Sequence, residues 1–229
     1  MSDYSVEQVA TAIDHAILHP AATDDDVERG CSTGRDLGVA AVLVKPCCVS
    51  LASRLLEESG VAVGTTIGFP HGGTVTTVKL REAEQAMGDG ATEIDMVCNV
   101  GKALSGQWSY VAEDIRAVLD VAHGRGGIIK VIFENCYLSE EHKRELCGIC
   151  GDFGVDFAKT STGFGTGGAT GEDVRLMRRL LPSHVNIKAA GGIRTLDDLL
   201  RFRESGADRI GTSSTVEILQ ECRARLGHE

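Results

Sequence analysis

Three charged residues stand in short apolar runs, where a charge needs a reason to be there. Lys159 closes VDFAK, Lys188 lies in VNIKA and Asp95 interrupts TEIDMV. An ionised side chain among apolar neighbours is costly unless it is paired, or it titrates toward neutrality. If the two lysine-bearing runs keep the same pleat parity, both ammonium groups point into one space. Like charges at short range disfavour double protonation, so one amine gives up its proton near neutral pH and becomes a nucleophile toward a carbonyl. Alternation puts Ile94 and Met96 opposite Asp95, and a carboxylate between the lysines stays ionised and can pass a proton through water. Asp14, in AIDHAI, has the same character. The competing readings are lysines that snorkel outward under a helix and carboxylates that serve only structural ion pairs.

The segment after Lys159 reads TSTGFGTGGATGEDV, with five glycines from Gly163 to Gly171. Exposed backbone N–H groups just before a helix start form an anion cradle. Thr162 with Gly163, Gly191 with Gly192, and Gly211 with Ser213 and Ser214 give three such loops, suited to a phosphate group; the alternative is that their glycines serve only as turns. No metal or other cofactor is expected. His15 and His19 are four apart in a strand-to-loop segment, His71 sits in a Phe-Pro-His-Gly-Gly turn, and neither HxH nor HExxH occurs.

The elements that must position these residues alternate along the chain. Strands are predicted at 12–17, 40–45, 61–67, 92–97, 127–133, 155–159, 185–189 and 208–211. Thr23, Ser139, Thr170 and Thr195, each followed by acidic residues, mark helix starts, and Ser50, Thr74, Ser105 and Ser214 mark weaker ones. Trp108, Val111, Ile115, Val118 and Ala122 form one stripe ending at Gly124. A helix over 6–11 precedes the first strand. Strand–helix units without a linker predict an α/β fold, a single (β/α)8 TIM barrel over residues 1–229 with a short N-terminal helix, and a doubly wound open sheet as the alternative. In such barrels chemistry sits at the carboxyl ends of the strands. The polar residues there are Asp14, Lys45, Asp95, Glu134, Lys159 and Lys188.

With 33 acidic and 23 basic residues the chain carries a net charge of −10. That argues against nucleic acid or an anionic membrane held on a broad basic face, and requires any phosphate to be held locally. The polar opening MSDYSVEQVATAID resembles no secretory signal, and no apolar run nears transmembrane length, so a cytoplasmic location is expected. There the eight cysteines would stay free, and Cys147 and Cys150, the one CxxC pair, read as thiols on a single helical face.

The runs IDHAILHP, TTIGFPHG, EIDMVCNVG, KVIFE, FAKTSTGFGTGGAT, IKAAGGIRT and RIGTSS span nearly the whole chain, and together they resemble the deoxyribose-phosphate aldolase family of class I, Schiff-base aldolases. The resemblance implies Lys159 as the imine-forming lysine, Lys188 as the neighbour that lowers its pKa, and Asp95 as the proton relay. Asp14 would support Lys188 and the substrate hydroxyl, and the phosphate would lie on Gly163, Gly192, Ser213 and Ser214. The implied reaction is reversible cleavage of 2-deoxy-D-ribose 5-phosphate to D-glyceraldehyde 3-phosphate and acetaldehyde by a homodimer or higher homo-oligomer. Another phosphosugar aldolase, a transaldolase-like enzyme and a silent phosphosugar-binding barrel are the alternatives. The chain departs from the family pattern at Ala16, where Thr is usual, at His19, where Lys is common, and at Leu43, where Cys is frequent.

Overall fold

The computed structural model describes residues 4–227; Met1, Ser2 and Asp3 of the polar opening segment, and His228 and Glu229, lie outside them. Eight parallel strands among the described residues close on themselves: β1 (Ile13–Ile17), β2 (Ala41–Val44), β3 (Ala62–Ile67), β4 (Glu93–Val97), β5 (Ile128–Ile132), β6 (Phe157–Lys159), β7 (Asn186–Ala190) and β8 (Arg209–Thr212). Each pairs with the next, and β8 returns to β1 through Ile13↔Ile210 and Asp14↔Gly211. The expected barrel is the observed one, and the open-sheet alternative falls because no strand is left as an edge.

Helix α1 (Val6–Ala10) precedes the barrel, and α2 (Asp24–Leu37), α3 (Val49–Leu55), α4 (Thr76–Gly88), α5 (Val100–Leu104), α6 (Trp108–Gly124), α7 (Glu140–Phe153), α8 (Gly171–Leu180), α9 (Leu196–Glu204) and α10 (Thr215–Leu226) surround it. The four strong start signals are caps: Thr23, Ser139, Thr170 and Thr195 each accept from the backbone N–H three residues on. Each satisfies an amide that the helix cannot, a contribution of about 1 kcal/mol.

The weaker signals are displaced. Ser50 lies inside α3, and the cap of α4 is Val75 rather than Thr74. Ser105 ends α5, a single turn capped by Asn99, and α6 starts after Gln107. Ser214 does occupy the cap position of α10, although its side chain makes no capping bond.

Strands covered by helices outside and side chains inside must be apolar on their outer face. Val42, Val44, Ile94, Met96, Ile129 and Val131 are fully buried there, against helix stripes such as Val111, Ile115 and Val118. Each such side chain contributes about 1.5–3 kcal/mol. Cys147 and Cys150 join this shell; burial pushes the Cys147 thiol up to about 12 and Cys150 well above its ordinary value. They are core thiols. A buried ion pair also stands outside the barrel, where Lys79 on α4 reaches Asp114 on α6 at 2.5 Å and donates to the Val97 carbonyl at 2.8 Å. It pins the end of β4, the strand that carries Asp95. No helix among the described residues is long and apolar enough to cross a membrane.

Candidate active site

Parallel pairing places partner residues on the same side of the sheet, so register decides what shares the lumen. Asp95 pairs with Lys130, Lys159 with Lys188, and Lys188 with Arg209. Both lysines predicted to carry chemistry therefore point inward, and the snorkelling alternative is excluded: their side chains are 3% and 1% exposed.

Asp95 Oδ2 accepts from Lys159 Nζ and from Lys188 Nζ, each at 2.7 Å. Its other oxygen takes Lys130 Nζ at 3.0 Å. Asp14 stands 2.5 Å from Lys188 Nζ and accepts from the Arg209 guanidinium at 2.5 Å. Lys130 donates to Glu93 at 2.5 Å, and Arg209 reaches Glu93 at 3.4 Å. The four residues expected at the centre, Lys159, Lys188, Asp95 and Asp14, are thus in one ion-pair network. Lys130, Glu93 and Arg209 complete it, and sequence reasoning missed them.

Burial holds the Lys159 ammonium down to about 8; Asp95 opposes this, and Lys188 reinforces it. Repulsion from Lys188, the cause anticipated from sequence, therefore stands behind desolvation. Burial would raise Asp95 and Asp14, but it is outweighed: Lys130, Lys159 and Lys188 hold Asp95 well below its ordinary value, and Lys130, Lys188 and Arg209 do the same for Asp14. Lys130, despite burial, is raised by Asp14, Asp95 and Glu93. In this lumen a depressed lysine, able to act as a free amine near neutral pH, stands beside carboxylates that remain ionised.

Above the network opens a cavity of about 590 Å³. Asp14, Lys159 and Lys188 reach its surface, and Thr162, Gly163, Gly191, Gly192, Gly211 and Ser213 line the side expected to hold phosphate. Two predicted residues are off the wall. Ser214 sits behind it, its N–H donating to Thr212 Oγ1 at 3.0 Å. Asp95 lies beneath the two ammonium groups that cover it.

Glycine is needed here because backbone packs on backbone. Gly191 has φ +90°, and a Cβ on Gly168 would come within 2.2 Å of the Gly191 carbonyl oxygen. Ala169 N–H donates to the Ala190 and Gly191 carbonyls at 3.1 and 3.2 Å, locking the β6–α8 loop onto the β7–α9 loop. Gly211 leaves room for Lys188, whose Cε would lie 3.1 Å from an added Cβ.

The remaining strand-end residues do other work. Lys45 turns away from the lumen and donates to the Pro20 and Ala22 carbonyls at 3.2 and 2.8 Å, bracing the β1–α2 loop. Glu134 accepts from the backbone N–H of Thr162 at 3.1 Å and from its hydroxyl, fixing the β6–α8 loop. Arg194, exposed on the cavity wall, was not anticipated, although it directly follows Gly191-Gly192-Ile193. Ala16, His19 and Leu43, the departures from the family pattern, all face the cavity. Among the described residues no three His, Cys, Asp or Glu side chains are grouped to hold a metal ion.

A closed parallel barrel with its charged cluster and cavity at the carboxyl ends of the strands defines a (β/α)8-barrel enzyme. A family model described as DeoC/LacD family aldolase matches residues 8–221. The chain is 48% identical over 227 residues to the deoxyribose-phosphate aldolase of Rhodopirellula baltica, covering 99% of this chain and 94% of that one. It is 49% identical over 217 residues to that of Thermococcus gammatolerans, covering 94% and 96% respectively. The tetrameric deoxyribose phosphate aldolase structure from Aeropyrum pernix superposes with a TM-score of 0.90 at 33% identity, over 96% of this chain and 93% of that chain. The chain belongs to the DeoC/LacD aldolase family.

Proposed function

We propose that this chain is a class I aldolase cleaving 2-deoxy-D-ribose 5-phosphate reversibly to D-glyceraldehyde 3-phosphate and acetaldehyde through a Schiff base on Lys159. The observation that carries the reading is the Lys159 amine, held at about 8 by burial and opening onto the cavity beside Lys188. The relatives' names supply the substrate.

The unprotonated Lys159 Nζ attacks C1 of the open-chain sugar, and the carbinolamine loses water to give a protonated imine. That imine draws in the electron pair of the breaking C2–C3 bond. The C3 hydroxyl gives up its proton and becomes the new carbonyl, so C3 to C5 depart as glyceraldehyde 3-phosphate while C1 and C2 stay on Lys159 as the enamine. The C2 carbon of the resulting enamine is then protonated, and water releases acetaldehyde and free Lys159. Run backward, the same steps make the aldol product.

Lys188 and Asp14, both on the cavity wall, are positioned to exchange the hydroxyl proton and hold the hydroxyl. Asp95 lies behind the lysines, so its proton traffic passes through their Nζ atoms. The phosphate is assigned to the backbone N–H groups of the Gly163, Gly191–Gly192 and Ser213 loops and to the N-terminus of α10, with Arg194 at the rim. The tetrameric Aeropyrum relative supports self-association, for which a homodimer or higher oligomer is proposed. Free cysteines suit a cytoplasmic location. Incubation with 2-deoxyribose 5-phosphate tests the reading. Stoichiometric acetaldehyde and glyceraldehyde 3-phosphate are expected, and cleavage of ketose phosphates instead would overturn the substrate.

A further inference from the structure

Seven charged side chains fill the lumen below the cavity, and their signs do not cancel. Lys130, Lys159, Lys188 and Arg209 face Asp14, Glu93 and Asp95, which leaves one cation in excess. The excess is not shared evenly. Lys130 touches Glu93, Asp95 and Asp14; Lys188 touches Asp14 and Asp95; Arg209 touches Asp14 and Glu93. Lys159 has Asp95 alone and shares that oxygen with Lys188. It is the cation with the least compensation and the one beside the cavity, so it is the proton that leaves at least cost.

We propose that Lys130 and Glu93, a layer beneath the cavity wall and out of reach of substrate, are positioning residues that set the protonation of Lys159 through the charge balance of the lumen. Lys130 also orients Asp95: by occupying Oδ1 it directs Oδ2 toward the two lysines above. The charged groups facing Lys159 come from β1 (Asp14), β4 (Glu93, Asp95), β5 (Lys130), β7 (Lys188) and β8 (Arg209). Strands β2 and β3 contribute uncharged Leu43 and Thr66, and Glu134 is engaged with Thr162. In a buried, water-poor cluster each added or removed charge is felt by the others over several ångströms, where exposed charges would be screened.

The inference rests on Lys159 as the imine-forming lysine, and the test separates the two. The full-length protein is reacted with acetaldehyde and cyanoborohydride across pH, with peptide mass spectrometry locating the adduct. If the adduct in the wild-type protein is elsewhere than Lys159, the functional reading fails. With the adduct at Lys159, Lys130→Met should leave three cations against three carboxylates and move the acid limb of trapping up by about one pH unit. Glu93→Gln, nearly isosteric, should move it down by a similar amount, and it carries the test alone should Lys130→Met not fold. The double variant should return the limb toward the wild-type position. A purely structural role predicts two losses of activity that compound, with the limb unmoved. An unmoved limb in Glu93→Gln, or singles that shift in the same direction, would overturn the proposal.

Discussion

Lys159 and Lys188 stand directly opposite each other in the β6–β7 register, and both donate to one carboxylate oxygen, Asp95 Oδ2, at 2.7 Å. One anion thus serves two buried ammonium groups. Burial is the first cause that holds the Lys159 amine down, with Lys188 adding to it and Asp95 restraining it.

Replacing Lys188 with leucine tests that balance. Loss of the like charge raises the pKa of Lys159, and because the free amine is the reactive form, the acid limb of kcat/KM moves from about 8 upward. It should stop short of the ordinary value of 10.5, because burial persists. The kcat should also fall by roughly 10²-fold or more, through loss of a proton-transfer partner at the substrate. A pH-rate profile with the wild-type limb would refute the contribution of Lys188.

Gly168→Ala examines the loops proposed to hold phosphate. Its methyl would collide with the Gly191 carbonyl and part the two loops. The KM for 2-deoxyribose 5-phosphate should rise by about 10-fold, as expected if roughly 1.4 kcal/mol of binding is lost. Cleavage of unphosphorylated 2-deoxyribose should change far less, so equal losses with both sugars would place the effect elsewhere.

Asp114→Ala leaves the Lys79 ammonium buried without its partner. Removing one member of a buried pair costs about 3–5 kcal/mol, which urea denaturation would register as a lower midpoint with an unchanged slope. A midpoint equal to the wild type would show that water reaches Lys79.

Much of the barrel is legible in the sequence because its strands are buried on both faces and read as β-branched runs; β4, predicted over 92–97, spans Glu93–Val97. Residues at strand ends were found where a charge broke an apolar run near a glycine loop, as with Lys159 and Lys188. Lys130 was passed over because it lies inside IIKVI rather than at its end, and Arg209 because it begins β8. Their partners are distant in the chain, Arg209 and Asp14 being 195 positions apart. Only ring closure makes them neighbours. Lys45 shows the converse: a strand-end position alone does not aim a side chain inward, and the carbonyls of the β1–α2 loop captured this one. Helix α5 escaped because five residues are too few to display a period.

Lys159 is the residue proposed to form the imine. Borohydride reduction in the presence of acetaldehyde, followed by peptide mass spectrometry, tests it most directly. One ethyl group on Lys159 is expected, with trapping and turnover both abolished in Lys159→Ala. An adduct on Lys188 or Lys130, or turnover surviving in Lys159→Ala, would contradict it.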